Sequence, residues 1–331
     1  MAPSVGAGSD NRTAGETCRR RPAQEGTSCA GLYSCRRHVP ENENVTSATE
    51  QPETPATRRT TATPRLIATD LDGTLLRDDK TVSDRTVAAL AAAEEAGIEV
   101  FFVTGRPARW MDVVRDHVHG HGLAICANGA VVVDLHDGGR FVKVRPLEPD
   151  AALAVVHAVR AAAPGASFAV ERTSGIHYEP RYPPFQTDPY ASIAPAEELL
   201  SSDDDHGPVV KLLAFHPELA PDEFLELARA VAGEHGVFTR SSPTALLEIS
   251  GPGVSKASTL AQCCAERGIS PDEVVAFGDM PNDLEMLGWA GTAYAMANAH
   301  PEVLATTTLR TAANTEDGVA AVIEQILHGL P

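Results

Sequence analysis

From residue 65 onward, apolar positions fall into short dense runs separated by amphipathic stretches. "RLIATD" is an apolar run of strand length that ends in a carboxylate. "SDRTVAALAAAEEAG" predicts a helix, with Ser83 as N-cap, alanines through its middle and Gly97 as its stop. "IEVFFVTG" is a second buried strand, "RPARWMDVVRDHV" a helix and "LAICAN" a third strand. Strands alternating with helices predict a parallel sheet with crossover helices, an α/β doubly wound fold. In such sheets ligands bind beyond the carboxyl ends of the strands. Asp70, Asp72, Thr104 and Asn128 all fall there.

The pattern then changes. "AVVVDLHDGGRFVKV" predicts a hairpin turning at Gly138 and Gly139. A helix over about 150–163 and a strand at "SFAVE" follow, then a polar, proline-rich stretch over 179–208 that reads as a surface loop. Next come a strand at "VVKLLAF", a helix at "PDEFLELARAVAGEHG" and strands at "VFTRS" and "ALLEIS". Several strands without a regular strand–helix march predict an inserted α+β domain over 149–249. The alternation resumes with helix "SKASTLAQCCAERG", strand "EVVAFGD", helix "PNDLEMLGWAG", strand "TAYAM" and a final helix "TEDGVAAVIEQIL". The first domain is thus expected to be discontinuous, over 65–148 and 250–331.

Residues 1–64 show neither a helical nor a strand period, and with eight Arg against seven Asp and Glu they are nearly neutral. Such a segment buries too little apolar surface to offset its ordering entropy, so it is expected to be a disordered tail. The chain's net charge of -18 therefore sits entirely on the remainder, which carries about -19 (-18 less the tail's +1), and it argues against a nucleic-acid partner. No apolar run reaches the roughly 20 residues that span a bilayer. Arg19, Arg20 and Arg21 are followed by polar residues rather than a signal sequence, so a cytoplasmic location and no membrane partner are expected. Of six cysteines, Cys263 and Cys264 are adjacent on a helix and do not look like a disulfide framework. The spacing of Cys29, Cys35 and His38 fits no common zinc pattern.

The candidate chemistry lies at Asp70-x-Asp72-Gly-Thr74, Thr104-Gly105-Arg106, Lys256 and Gly278-Asp279-x-x-Asn282-Asp283. Each piece alone has an ordinary explanation: an Asp-Gly turn, an N-cap threonine, an exposed lysine, helix-capping residues. Together, "DLDGTLL", "VTGRP", "GVSK" and "GDMPND" resemble the four motifs of the haloacid dehalogenase-like superfamily of phosphohydrolases, over about 65–331. The extra domain between the second and third motifs, with "ANGA" and "GVSK", resembles the Cof-type branch, whose members mostly act on sugar phosphates and related metabolites.

The resemblance implies a Mg²⁺-dependent phosphatase of a small phosphorylated metabolite. Asp70 would be the nucleophile and Asp72 the proton-transfer group, its side chain free for that work. Leu71, Thr104, Gly105, Lys256 and Asn282 would bind phosphate, the Gly105 amide at a helix N-terminus. The metal set would be Asp70, Asp72 through its main-chain carbonyl, Asp279 and Asp283. Asp283 could instead hold a metal-bound water or Lys256. A carboxylate nucleophile splits one hard hydrolysis into two easier steps, and a divalent cation screens it from the anionic ester. Lys256, just after the N-cap Ser255, faces the positive end of a helix dipole, a cost that a bound phosphate reverses. On the inserted domain, Arg172, His177, Tyr178, Lys211 and Arg240 are polar candidates, Lys211 foremost because it sits in an apolar strand. A phosphomutase of the same fold and a non-catalytic phosphometabolite sensor are the competing readings.

Overall fold

The computed structural model describes residues 63–115, 122–183, 185, 188–201, 206–241 and 244–330. All but the last two residues of the expected 1–64 tail, and the cysteines within it, lie outside these residues. Two sheets organise the rest. The larger uses β1 (Leu66–Thr69), β2 (Glu99–Val103), β3 (Leu123–Cys126), β4 (Val131–Asp134), β5 (Arg140–Val144), β11 (Val274–Gly278), β12 (Thr292–Met296) and β13 (Leu309–Thr311). Its order is β13-β12-β11-β1-β2-β3-β4-β5, parallel from β13 to β3 with an antiparallel hairpin at the β5 edge. Strands run outward from β1 in both directions, so the carboxyl ends of β1 and β11 flank the topological switch point, where doubly wound sheets place their ligands.

The helices follow their caps. In α1 (Asp84–Glu95), Ser83 accepts from the Thr86 amide. The Lys256–Glu266 helix begins at a reciprocal capping box between Ser255 and Ser258. The expected helix after Pro107 is instead a 3-10 turn at Ala108–Trp110 and the short α2 (Asp112–Arg115). Gly105 therefore does not sit at the start of an α-helix. Pro107 holds extended backbone at the head of that turn and donates no hydrogen bond, which delays the helical ladder.

The second sheet is antiparallel, in the order β7-β6-β8-β10-β9. Its strands are β6 (Ser167–Arg172), β7 (Ile176–Tyr178), β8 (Val209–Phe215), β9 (Val237–Thr239) and β10 (Leu246–Ser250). Its helices are α3 (Pro149–Ala162), α4 (Ala196–Ser201) and α5 (Pro221–Ala232). One face packs on these helices through Phe168, Leu212, Phe224 and Leu247. The expected 179–208 loop contains α4, whose Leu199 and Leu200 reach that core. Past β10 the chain returns to the large sheet through α6 (Lys256–Glu266), α7 (Leu284–Trp289), α8 (Pro301–Thr306) and α9 (Gly318–His328). α1 packs on α9 and α6 on α7. Cys126, Cys263 and Cys264 are buried thiols without a disulfide. No helix among the described residues is long and apolar enough to cross a membrane.

Candidate active site

β1 ends at Thr69 and β11 at Gly278, and the next residue of each is an aspartate. Asp70 and Asp279 are thereby held at the switch point, both buried. Gly73, at φ +80°, makes the turn, and a Cβ there would collide with the Asp279 carboxylate. Thr74 donates its hydroxyl to Asp279 Oδ1 at 2.9 Å. Lys256, in the first turn of α6 and 2% exposed, donates to Asp70 at 2.6 Å and to Asp283 at 2.7 Å. The other Asp283 oxygen accepts from the Asp279 and Met280 amides at 3.1 and 3.0 Å. Asp283 thus ties the β11 loop to Lys256. Oxygens of Asp70, Asp279 and Asp283 lie within 4.8 Å of one another.

These charges shift one another. Burial pushes the Asp70 carboxyl well above the usual range; Lys256 opposes this, and the charges of Asp283 and Asp279 add to it. Burial and then Asp283 push Asp279 up to about 7. Burial works against the Lys256 ammonium, but Asp283 and Asp70 outweigh it and hold it protonated. The few tenths to 1 kcal/mol that a cation loses at a helix N-terminus is small beside two direct carboxylate contacts.

Asp72 departs from expectation, because its side chain is not free. Arg106 grips both its oxygens, at 2.5 and 2.7 Å, and Lys80 donates to one at 2.8 Å. Burial disfavours its charge, yet these hydrogen bonds win and hold its pKa below the usual range. Its carboxylate stands outside the Asp70–Asp279–Asp283 group. Thr104, Gly105 and Asn282 line the same cavity as Asp70 and Asp72. Thr104 Oγ1 accepts from the Arg106 amide at 3.1 Å, which leaves its own hydrogen to donate. Asn282 donates to Asn128 Oδ1 at 3.2 Å, and its own Oδ1 is buried without a partner. The Leu71 side chain is in the core, so that residue has only its main chain to offer a ligand.

The cavity, about 360 Å³, lies between these loops and the second sheet. Of the expected polar residues on that sheet, Lys211 and Tyr178 line it, whereas Arg172, His177 and Arg240 do not. His177 faces another pocket, Arg172 binds main-chain carbonyls, and Arg240 pairs with Asp222. Sequence reasoning missed several lining residues. Glu171 pairs with Arg109, Glu248 pairs with Lys211, and Trp110, Tyr182, Phe185, Leu213 and Leu246 form apolar wall. Alternation along β6, β8 and β10 was the available signal: Glu171, Lys211, Leu213, Leu246 and Glu248 share a face, which meets the loops of the large sheet rather than water.

A family model of haloacid dehalogenase-like hydrolases matches residues 67–323. The pyridoxal phosphate phosphatase YbhA of Escherichia coli (strain K12) is 30% identical over 279 residues, 79% of this chain and 98% of that protein. The 5-amino-6-(5-phospho-D-ribitylamino)uracil phosphatase YitU of Bacillus subtilis (strain 168) is 29% identical over 277 residues, 79% of this chain and 97% of that protein. A solved haloacid dehalogenase-like hydrolase from Bacteroides thetaiotaomicron superposes with a TM-score of 0.63 at 26% identity, covering 80% of this chain and 99% of that one. With the aspartates and lysine of its motifs gathered at the switch point, the chain belongs to the haloacid dehalogenase-like hydrolase family, in the Cof-type branch that its sequence resembles.

Proposed function

We propose that the protein is a Mg²⁺-dependent phosphatase that hydrolyses a small phosphorylated metabolite through an aspartyl-phosphate on Asp70. The observation that carries this reading is the buried group of Asp70, Asp279 and Asp283 around Lys256, beside a cavity of about 360 Å³. The donor set fits Mg²⁺. It offers hard carboxylate oxygens, and a divalent cation offsets the burial and mutual repulsion that push the Asp70 and Asp279 carboxyls up. Asp70, Asp279 and the main-chain carbonyl of Asp72 would hold it. Bound there, it would screen the Asp70 carboxylate from the anionic ester. Asp283, with both oxygens engaged by the chain itself, holds Lys256 in place.

Asp70 attacks phosphorus and the bond to the leaving oxygen breaks. The Thr104 hydroxyl, the main-chain amides of Leu71 and Gly105, Lys256 and Asn282 take the phosphoryl oxygens. Asp72 gives the leaving oxygen its proton, then takes one from the water that opens the acyl-phosphate. To do so it must exchange Arg106 and Lys80 for the substrate, since both favour its charged form.

Residues 149–249 act as a cap that closes over the leaving group. Its apolar side chains Phe185, Leu213 and Leu246, with Trp110, line part of the cavity, and a polyol's hydroxyls turned to that part would be left unpaired. This favours a phosphate ester carrying a flat heteroaromatic ring over a bare sugar phosphate. The names of the relatives, one a pyridoxal phosphate phosphatase and one a phosphatase of a uracil derivative, agree with it.

The test is phosphate release from p-nitrophenyl phosphate, pyridoxal phosphate and glucose 6-phosphate, with Mg²⁺ and with chelator. Release only with Mg²⁺, and kcat/KM higher for pyridoxal phosphate than for the sugar ester, are expected. Full activity in chelator would contradict the metal requirement, and a preference for the sugar would contradict the ring.

A further inference from the structure

We propose that Lys211 and Glu248 of the cap form a clasp that sets the phosphate-binding loop, so that Thr104 presents its hydroxyl hydrogen to the phosphate only while the cap sheet is docked. The inference rests on the phosphatase reading for its role in turnover, and on geometry for its existence.

Lys211 lies on β8 and Glu248 on β10, both less than 10% exposed, paired at 3.0 Å. The pair does not close on itself. Lys211 Nζ also donates to the Gly105 carbonyl, 2.9 Å away across the seam between the sheets. That carbonyl belongs to the same rigid peptide plane as the Arg106 N–H. The Arg106 N–H donates to Thr104 Oγ1 at 3.1 Å. An ammonium fixing one end of the plane therefore fixes the donor at the other. While Oγ1 accepts from that donor, its own hydrogen is left for a ligand.

Glu248 extends the grip to the next loop. Its second oxygen accepts from Asn128 Nδ2 at 2.6 Å, and Asn128 Oδ1 accepts from Asn282. The Asn128 amide donates to the Thr104 carbonyl at 3.0 Å, and the Ala127 amide to the Arg106 carbonyl at 2.8 Å. This loop is held at a cost: Ala127 and Asn128 stand at φ +50° and +54°. Such backbone persists only where the surroundings determine it, and it clusters at functional sites. Neither Lys211 nor Glu248 is needed to fill the cap core, which lies on the other face of the sheet. Both are positioning residues: the cap reaches the reacting phosphate through the Gly105–Arg106 peptide.

The experiment compares the wild type with K211M and with K211M/E248Q. The double variant leaves no lone buried charge if K211M alone fails to fold. Two readouts are taken: steady-state hydrolysis of p-nitrophenyl phosphate with Mg²⁺, and amide hydrogen exchange of the peptide containing Thr104–Arg106. In the double variant kcat should fall about a hundredfold, as for a catalytic group displaced by about an ångström, with KM nearly unchanged. Exchange at Arg106 should quicken about tenfold or more while β8 amides keep wild-type protection. Wild-type protection at Arg106 would overturn the clasp, as would a rise in KM with kcat unchanged, which would make Lys211 a direct substrate contact. A wild type that hydrolyses no phosphate ester would defeat the phosphatase reading, and the exchange result would still decide the clasp.

Discussion

A methyl group on residue 73 would stand where Asp279 puts its carboxylate, on backbone that L side chains rarely adopt. Gly73→Ala should cost about 1–3 kcal/mol of stability, read by urea titration, because strain and displacement of Asp279 add. Asp279 carries a second expectation. Its folded-state pKa of about 7 exceeds the unfolded carboxyl value, so ionising it disfavours the metal-free fold. That part of the stability is present at acid pH and is lost as pH rises through about 7. Asp279→Asn should therefore raise the metal-free melting temperature at pH 8, by about 2–4 °C per kcal/mol relieved, and abolish the rise that Mg²⁺ causes in the wild type. An unchanged Mg²⁺-induced rise in Asp279→Asn would show that it is no ligand. At this scale Asp70, Asp279 and Lys256 were legible as candidates only as a set: each alone has an ordinary use in a turn, a cap or at the surface, and four motifs in order set them apart. The pairing of Asp72 with Arg106 was not, because the two residues are brought together by neighbouring strands of the sheet rather than by any local spacing.

Helix starts were readable because capping is local. Ser83 and Ser255 each accept from the amide three residues on. Ser255→Ala should cost about 1 kcal/mol. Because α6 carries Lys256 in its first turn, the variant should also lower kcat more than it raises KM; a loss of stability with wild-type kcat would detach the cap from the chemistry. Two of the three-residue strands, β7 and β13, lack the length to show a period, and α8 is only six residues long, counting its first proline. Strand β10 shows the limit of period-two reasoning. "ALLEIS" places Glu248 on a face of mixed polarity with Leu246 and Ser250, and such a face can meet water or another part of the chain. Glu248 is 7% exposed, and that burial depends on a sheet far away in sequence.

At the scale of the molecule, a parallel sheet with its switch point at β1 and β11 delivers two aspartates to one place, and a chain excursion between them returns as a roof. The α/β class and this excursion were legible from the order of apolar runs; the character of the roof was not, because the aromatic wall is assembled from β7, β8, β10 and the loop carrying Tyr182 and Phe185. A chain beginning at Thr63 contains every residue placed in the site and should match the full chain in melting temperature and phosphate release; loss of either would assign the first 62 residues a part in the fold or the reaction. The central claim is that Asp70 is transiently phosphorylated. The direct measurement is rapid quench with phosphorus-labelled aryl phosphate, followed by mass analysis of the peptide containing "DLDGTLL". Label should appear on Asp70 in the wild type, persist in Asp72→Asn because no group activates the water, and be absent in Asp70→Asn. Label on another residue, or label that survives in Asp70→Asn, would contradict the account.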